Sequence, residues 1–210
     1  MRTALVIALL SQLANFYGGN LPIVDSTLRN YYDKSILKEA MRRQGSELPE
    51  VAKETVKPKK HEAPSASDFK PGKGRPMVDA FFAQSHMEPR HEQLMRAMIE
   101  ALNKGIETNL RKNSVASAMG IAVTQATAIV EQREIPDDEL KELITNFNDQ
   151  LGRSAQFQKS KPEERQALYD QLLLTTALLV TFDTLGKQDA RAAEAALVSG
   201  RAVLSELGVR

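Results

Sequence analysis

The sequence predicts an all-α fold: a helical bundle of about five helices over residues 77–208, preceded by an N-terminal helix and a flexible linker. Three observations favour this fold class. Aromatic residues make up 5% of the chain and tryptophan is absent, whereas strands favour aromatic and β-branched residues. Apolar residues recur at helical spacing, without an alternating strand pattern. Apolar residues at 42% and charged residues at 26% are typical of a globular chain with a buried core.

Residues 1–14 (MRTALVIALLSQLA) have the outline of a secretory signal peptide: one basic residue, an apolar run at residues 4–10, and Ala14 as a cleavage position. The alternative is a short amphipathic or buried helix, since the apolar run is of minimum length and Gln12 is not a small residue. A transmembrane helix would need about 20 apolar residues. We expect an exported chain, periplasmic or extracellular, with a cytoplasmic location as the alternative.

Residues 15–44 are predicted to form an N-terminal helical segment that stops at Gly45. Residues 45–76 then hold five of the nine prolines, several lysines and little apolar periodicity, which is typical of a disordered linker. The alternative is a basic tether for nucleic acid or another anionic surface. The predicted helical bundle domain follows at residues 77–210.

Within the bundle, apolar spacing predicts a short helix and five longer ones. Their expected ranges are 77–84, 88–108, 113–130, 137–151, 160–186 and 189–207. Ser160 and Glu163 have the spacing of a capping box for the longest helix, with a proline inside the first turn.

The stretch NSVASAMGIAVTQATAIV, residues 113–130, is uncharged over its whole length. Its polar residues, and charges close to both ends, argue against a membrane span. On a helix it is apolar over most of its circumference, which predicts a buried central helix. Gly120 and its small neighbours allow other helices to approach closely. The alternative is that Thr124, Gln125 and Thr127 line a ligand cavity.

No catalytic, cofactor or metal site is predicted, and we lean towards a protein that is not an enzyme. The chain has no cysteine, which excludes disulfides and zinc–thiolate sites. The segment HMEPRHE places His86 and His91 close to two glutamates, but Pro89 interrupts the helical geometry of a metal-binding HExxH motif. Phosphate-binding loops and nucleophile elbows are missing from the sequence.

Arg111 and Lys112 precede the predicted central helix, where the helix dipole disfavours cations. They are therefore candidate contacts for a partner or an anion, with a solvated loop as the alternative. Thr124, Gln125 and Thr127 complete the set of candidate contact residues.

Three segments, FKPGKGRPMVDAFF, LRKNSVASAMG and SAQFQKSKPEERQALYDQLLLTTALL, together resemble an uncharacterised bacterial protein family that is defined only as a domain of unknown function. The resemblance covers about residues 69–185 and implies an exported helical protein. No function, cofactor or catalytic residue is carried over from the family.

The first functional hypothesis is an exported protein with a structural or protein-interaction role in the bacterial envelope and a protein partner. A small-molecule-binding bundle is the first alternative. The second is an intracellular protein that contacts nucleic acid through the basic linker.

Overall fold

Seven α-helices account for most of residues 65–85, 87 and 89–209, which the computed structural model describes. They are α1 (Pro76–Ser85), α2 (Pro89–Asn109), α3 (Val115–Glu131), α4 (Asp137–Arg153), α5 (Ala155–Lys159), α6 (Pro162–Gly186) and α7 (Ala190–Glu206). These residues include no strand, only an isolated bridge between Asp68 and Ser114. The predicted all-α fold is confirmed. The predicted signal peptide, the N-terminal helical segment and residues 45–64 of the predicted linker lie outside the described residues.

The predicted helix ends lie within two residues of the observed ones, with two differences in detail. The short helix α5 was not predicted; Ser154 begins it by accepting a hydrogen bond from the Phe157 amide at 3.2 Å. The predicted capping box was wrong by one residue. The Lys161 amide donates to Glu164 at 2.8 Å, whereas the Ser160 hydroxyl bonds to the end of α5.

Two apolar helices, α3 and α6, form the centre of the bundle. Eleven of the 17 residues of α3 are buried, and 15 of the 25 residues of α6 are buried. Both helices pack against α7; α3 also packs against α4, and α6 against α1 and α2. The uncharged stretch at residues 113–130 is therefore the central helix that the sequence predicts. Among the helices of the described part, none is long and apolar enough to cross a membrane.

Glycines allow the helices around α3 to approach closely. A Cβ atom on Gly120 would lie 2.6 Å from Cγ1 of Ile144, which projects from α4. A Cβ atom on Gly200 of α7 would lie 2.9 Å from Cγ2 of Val130 at the end of α3. Real Cβ atoms essentially never lie so close to another atom, so a side chain at either position would force the neighbouring side chain or helix to shift.

Residues 65–75 form an irregular segment that lies against the bundle before α1 begins; we call this segment the strap. The sequence places it in the predicted linker because it contains little apolar periodicity. Its order comes instead from hydrogen bonds and ion pairs to distant helices, which a local pattern does not reveal. The interface between the strap and the bundle joins residues distant in the sequence through buried and partly buried polar contacts, and it is the candidate site.

Candidate functional site

The first half of the strap is fixed by a carboxylate and a guanidinium. Asp68 accepts two hydrogen bonds from Arg111, at 2.7 Å from Nε and 2.6 Å from Nη2. The same carboxylate accepts the Ser65 amide at 2.8 Å, which closes a turn at the start of the strap. Both charged side chains are about three-quarters buried, with 29% and 23% of their surfaces exposed. Such bidentate pairs fix orientation as well as position.

The strap also completes the N-terminus of α3. The Val115 amide, which has no partner within its own helix, donates to the Ser67 carbonyl at 3.1 Å. The Ser67 hydroxyl lies 2.9 Å from the hydroxyl of Ser114, the N-cap of α3. On the opposite edge, Asn148 of α4 accepts the Ser67 amide at 3.1 Å. The strap therefore joins the start of α3 to the side of α4.

Arg165 covers the strap from α6. Its guanidinium donates to the Asp68 carbonyl and to the Phe157 carbonyl, both at 3.0 Å. It also lies over the Phe157 ring, 4.5 Å from the ring centroid, where the aromatic face attracts a cation. Partial burial lowers the pKa of Arg165 from its usual value.

The second half of the strap is clamped by one amide side chain. The Gly72 amide donates to Gln166 Oε1 at 2.6 Å, and Gln166 Nε2 donates to the Gly74 carbonyl at 2.8 Å. Gln166 is itself buried within α6. Because both bonds are made to backbone atoms, the clamp depends on the backbone conformation of residues 72–74 and not on their side chains.

Arg75 ends the strap between two acidic residues from different helices. Its Nε donates to Glu100 of α2 at 2.7 Å, and its Nη1 donates to Asp170 of α6. Burial lowers the pKa of Arg75, but the bonds to Glu100 and Asp170 outweigh it and raise the pKa overall. Arg75 is therefore a permanent cation that links α2 to α6.

Asp170 is the most unusual residue of the interface, because it is a carboxylate with no exposed surface. Its Oδ1 accepts from Arg75, whereas its Oδ2 has no hydrogen-bond partner among the described residues. Burial raises the pKa of Asp170, and this effect exceeds the opposing attraction of Arg75. Removing the one charged partner of a buried carboxylate costs much folding free energy. The burial of Asp170 therefore depends on its bond to Arg75.

Next to it, the buried Tyr169 connects the strap to α2. Its hydroxyl donates to Asn103 Oδ1 at 2.9 Å, and its ring lies 5.2 Å from that of Phe69 in the strap. Burial raises the pKa of Tyr169, so the phenol stays protonated and serves as a donor.

These contacts hold and orient a chain segment against the bundle. A nucleophile paired with a base, or two acidic groups facing an open cleft, would indicate catalysis. Here the carboxylates of Asp68 and Asp170 are both bonded to guanidinium groups. The residues that the structure describes also contain no group of three or more His, Asp or Glu side chains able to hold a metal ion.

Of the candidate residues predicted from the sequence, Arg111 alone lies in this interface. Lys112 beside it is exposed. The Thr124 hydroxyl donates to the Gly120 carbonyl of its own helix at 2.9 Å. Gln125 is half-buried, and Thr127 is buried in the core. The structure therefore does not bring these threonines and the glutamine together with the strap.

Sequence reasoning missed most of the interface, which also contains Asp68, Arg75, Arg165, Gln166 and Asp170. One signal was visible: Asp170 is followed directly by the uncharged run QLLLTTALLVTF of a buried helix. An acidic residue next to such a run requires a charged or hydrogen-bonding partner. The identity of that partner, 95 residues away, has no local signature.

No curated protein and no solved structure matches the chain significantly. A family model described as a family of unknown function, DUF6683, matches residues 20–209. The match takes in the strap, all seven helices and part of the N-terminal region. The chain belongs to this family of unknown function.

Proposed function

We propose that this protein is a helical interaction protein without enzymatic activity, in which the bundle anchors an N-terminal segment and holds it towards a protein partner. One observation carries the proposal. Asp170 is the only Asp, Glu, Lys or Arg residue buried among the residues that the structure describes, and its charge partner is Arg75 of the strap. The one buried carboxylate of the described core, whose burial costs free energy, is thus the group that binds the strap.

The contacts of Asp170 distinguish an anchor from an active site. An enzyme keeps its perturbed carboxylate accessible to a substrate. Asp170 is instead covered, and one of its two oxygens is bonded to Arg75. The clamp from Gln166 to two backbone positions of the strap supports the same interpretation, because it serves only to hold the chain.

We place this interaction in the bacterial envelope, after export. The proposal is supported by the basic residue, apolar run and small residue in residues 1–14, which match the order of a secretory signal. Fractionation of the native cells, followed by identification of the mature N-terminus, tests it. A chain that starts near Asn15 outside the cytoplasm is the expected result, and a cytosolic chain with intact Met1 would contradict export.

Partner recovery tests the interaction itself. Full-length protein is compared, after cross-linking in native cells, with a variant that lacks residues 15–64 and with Asp68→Ala, which unlocks the strap. We expect one partner to be enriched by the full-length chain, reduced by Asp68→Ala and lost with the deletion. Circular dichroism confirms that each variant keeps its helices. Equal recovery of that partner by all three chains would show that the bundle surface, rather than the anchored segment, makes the contact.

A further inference from the structure

The strap has an open stretch in its middle. Residues 70–74 (KPGKG) are all exposed, and they separate the first half of the strap from Arg75. The stretch contains Pro71 and two glycines, and Gly74 has a φ of 69°, in the left-handed region that favours glycine. Apart from the two bonds to Gln166, no hydrogen bond fixes it to the bundle among the described residues. It has the composition and exposure of a hinge.

The hydrogen bonds that hold the first half of the strap, residues 65–69, to the bundle are made to residues far away in the sequence. Asp68 and Arg111 are 43 positions apart, and the amide of Phe69 donates to the Asn113 carbonyl at 3.0 Å. Ser67 contacts Asn148, which is 81 positions away. None of these bonds depends on which copy of the chain supplies residues 65–69.

We propose that the site beneath residues 65–69 accepts the same segment of a second copy, so that two chains exchange straps. This inference rests on the proposed function and names a partner, a second copy of the chain. The geometry supports that occupant because it reproduces every bond of residues 65–69, including the bidentate pair of Asp68 and Arg111. Exchange of an identical element is a low-cost route to a dimer.

The hinge sets the geometry of the exchanged pair. Five extended residues span at most about 17 Å, so the two bundles have to lie side by side, with the α3 N-termini near the contact. Opening the hinge breaks the bonds from Gln166 to Gly72 and Gly74, which are made only when the hinge is closed. Gln166 therefore acts as a latch against exchange.

A mixture of two single-cysteine chains tests the exchange, because the natural chain has no cysteine. One chain carries Ser67→Cys and the other carries Ser114→Cys, at positions whose hydroxyl oxygens lie 2.9 Å apart. The chains are mixed at increasing concentrations, oxidised and separated without reductant. We expect a disulfide between the two different chains that increases with concentration. Its absence at every concentration would overturn the exchange, and would leave the partner-recovery experiment unaffected.

A control variant separates exchange from random collision. Chains with Ser67→Cys are mixed with chains carrying Val198→Cys, a change at an exposed position on α7. We expect at least a tenfold lower yield of mixed disulfide than for the first pair. Equal yields would contradict the proposal.

The latch gives a second test that does not require cysteine. Size-exclusion chromatography of Gln166→Ala should show a larger dimer fraction than the wild-type chain, and adding Asp68→Ala should remove the increase. A dimer fraction that stays unchanged in Gln166→Ala, or one that survives Asp68→Ala, would overturn the exchange even if the serine variants failed to fold.

Discussion

Asp68 and Arg111 form a bidentate pair that joins the strap to the loop before the central helix, with hydrogen bonds of 2.7 and 2.6 Å. The two residues are 43 positions apart, so the pair closes a loop that contains α1 and α2. It also positions the Ser67 carbonyl for the first free amide of α3. The strap therefore supports the N-terminus of the central helix α3.

We expect Asp68→Ala and Arg111→Ala each to loosen the strap, since each breaks the bidentate pair between two partly buried charges. Hydrogen bonds to charged groups contribute about 1.5–3 kcal/mol, and the partial exposure of both side chains reduces this to a coupling energy of about 1 kcal/mol. Because 1 kcal/mol changes an opening equilibrium about fivefold, we expect about fivefold faster hydrogen exchange at the strap in each single variant than in the wild-type chain. The amides of Phe69 and Val115, which bond across the strap, report it. Strictly additive effects in the double variant would disprove the coupling.

Arg133 provides the matched control for this double-mutant cycle. It also forms a two-bond pair, with Glu139 at 2.9 and 2.9 Å, but on the exposed surface. Because exposed ion pairs contribute little to stability, Arg133→Ala should leave the same two amides unchanged. An equal change would mean that net charge, and not the strap contact, controls the exchange rate.

The outcome for the strap explains what the sequence can and cannot predict. The central helix α3 was predictable because its apolar residues recur at helical spacing within one continuous stretch. The residues at these positions are the ones that are buried. Residues 65–75 fall within the predicted linker because they are rich in proline and lysine and have no apolar period. Their order depends on pairs such as Arg75 and Asp170, which are 95 positions apart. No local pattern in a single sequence indicates which residues pair over such a separation.

Local chemistry explains the smaller differences too. The helix α5 spans five residues, fewer than two turns, so no periodic signal could develop. The capping box moved from Glu163 to Glu164 because the Ser160 hydroxyl bonds to the Phe157 carbonyl and Lys161 becomes the N-cap of α6. Both differences lie at the junction before α6, where two helix ends meet within a few residues.

Limited proteolysis tests the linker that the sequence predicts at residues 45–76. Exposed segments rich in proline and lysine are preferred cleavage sites, so we expect the first tryptic cuts within residues 45–76. The contacts of residues 65–69 and the Gln166 clamp refine this expectation. The first cuts should fall before Ser65, at lysines such as Lys59 or Lys60, and leave a stable fragment with its strap. Mass spectrometry of the first fragments identifies the cut, and first cuts within residues 88–207 would contradict an autonomous bundle.

The Gln166 clamp should protect the bond after Lys73, although Lys73 is exposed. Gln166→Ala removes the bonds to Gly72 and Gly74, so we expect tryptic cleavage after Lys73 to accelerate severalfold. Gln188→Ala, on the exposed turn after α6, is the control and should leave the rate unchanged. If cleavage after Lys73 is as fast in the wild-type chain as in Gln166→Ala, the clamp does not hold the hinge.

Asp170 predicts a specific dependence of stability on pH. Burial raises the pKa of this carboxyl in the folded chain above its value of about 3.9 in the unfolded chain. Between these two values the folded state binds more protons than the unfolded state, so stability falls as the pH rises. The contribution of this raised pKa to the free energy of unfolding is fully present below the pKa of Asp170 in the unfolded chain. It is lost as the pH rises through the pKa of Asp170 in the folded chain.

Urea unfolding of the wild-type chain and of Asp170→Asn, at a series of pH values from 3 upward in steps of about 0.5, measures this contribution. The wild-type free energy of unfolding minus that of Asp170→Asn should decrease as the pH rises from about 4, then become constant. Glu206, whose pKa burial also raises, is present in both chains and cancels. A difference that increases with pH would mean that Arg75 holds the pKa of Asp170 below its usual value.

The contact between Gly120 and Ile144 predicts opposite results for two glycine substitutions. Glycine within a helix costs about 1 kcal/mol relative to alanine, so an unneeded glycine should improve on replacement. Gly105 of α2 has no atom within 4 Å of an added Cβ, and Gly105→Ala should therefore raise stability by about 0.5–1 kcal/mol. At Gly120 the added Cβ would lie 2.6 Å from Cγ1 of Ile144, close to the α4 backbone rather than at a flexible end.

We expect Gly120→Ala to be neutral or harmful despite its gain in helix propensity, and Gly120→Leu to lower stability by about 1–3 kcal/mol through overpacking. The larger side chain would push Leu140 and Ile144 away from α3, and would separate α4 from the helix that it covers. Thermal unfolding of both variants beside Gly105→Ala and the wild-type chain measures the effect. If Gly120→Ala stabilises the protein as much as Gly105→Ala does, and Gly120→Leu is tolerated, then α3 and α4 are not in close contact at Gly120 and the central position of α3 has to be abandoned.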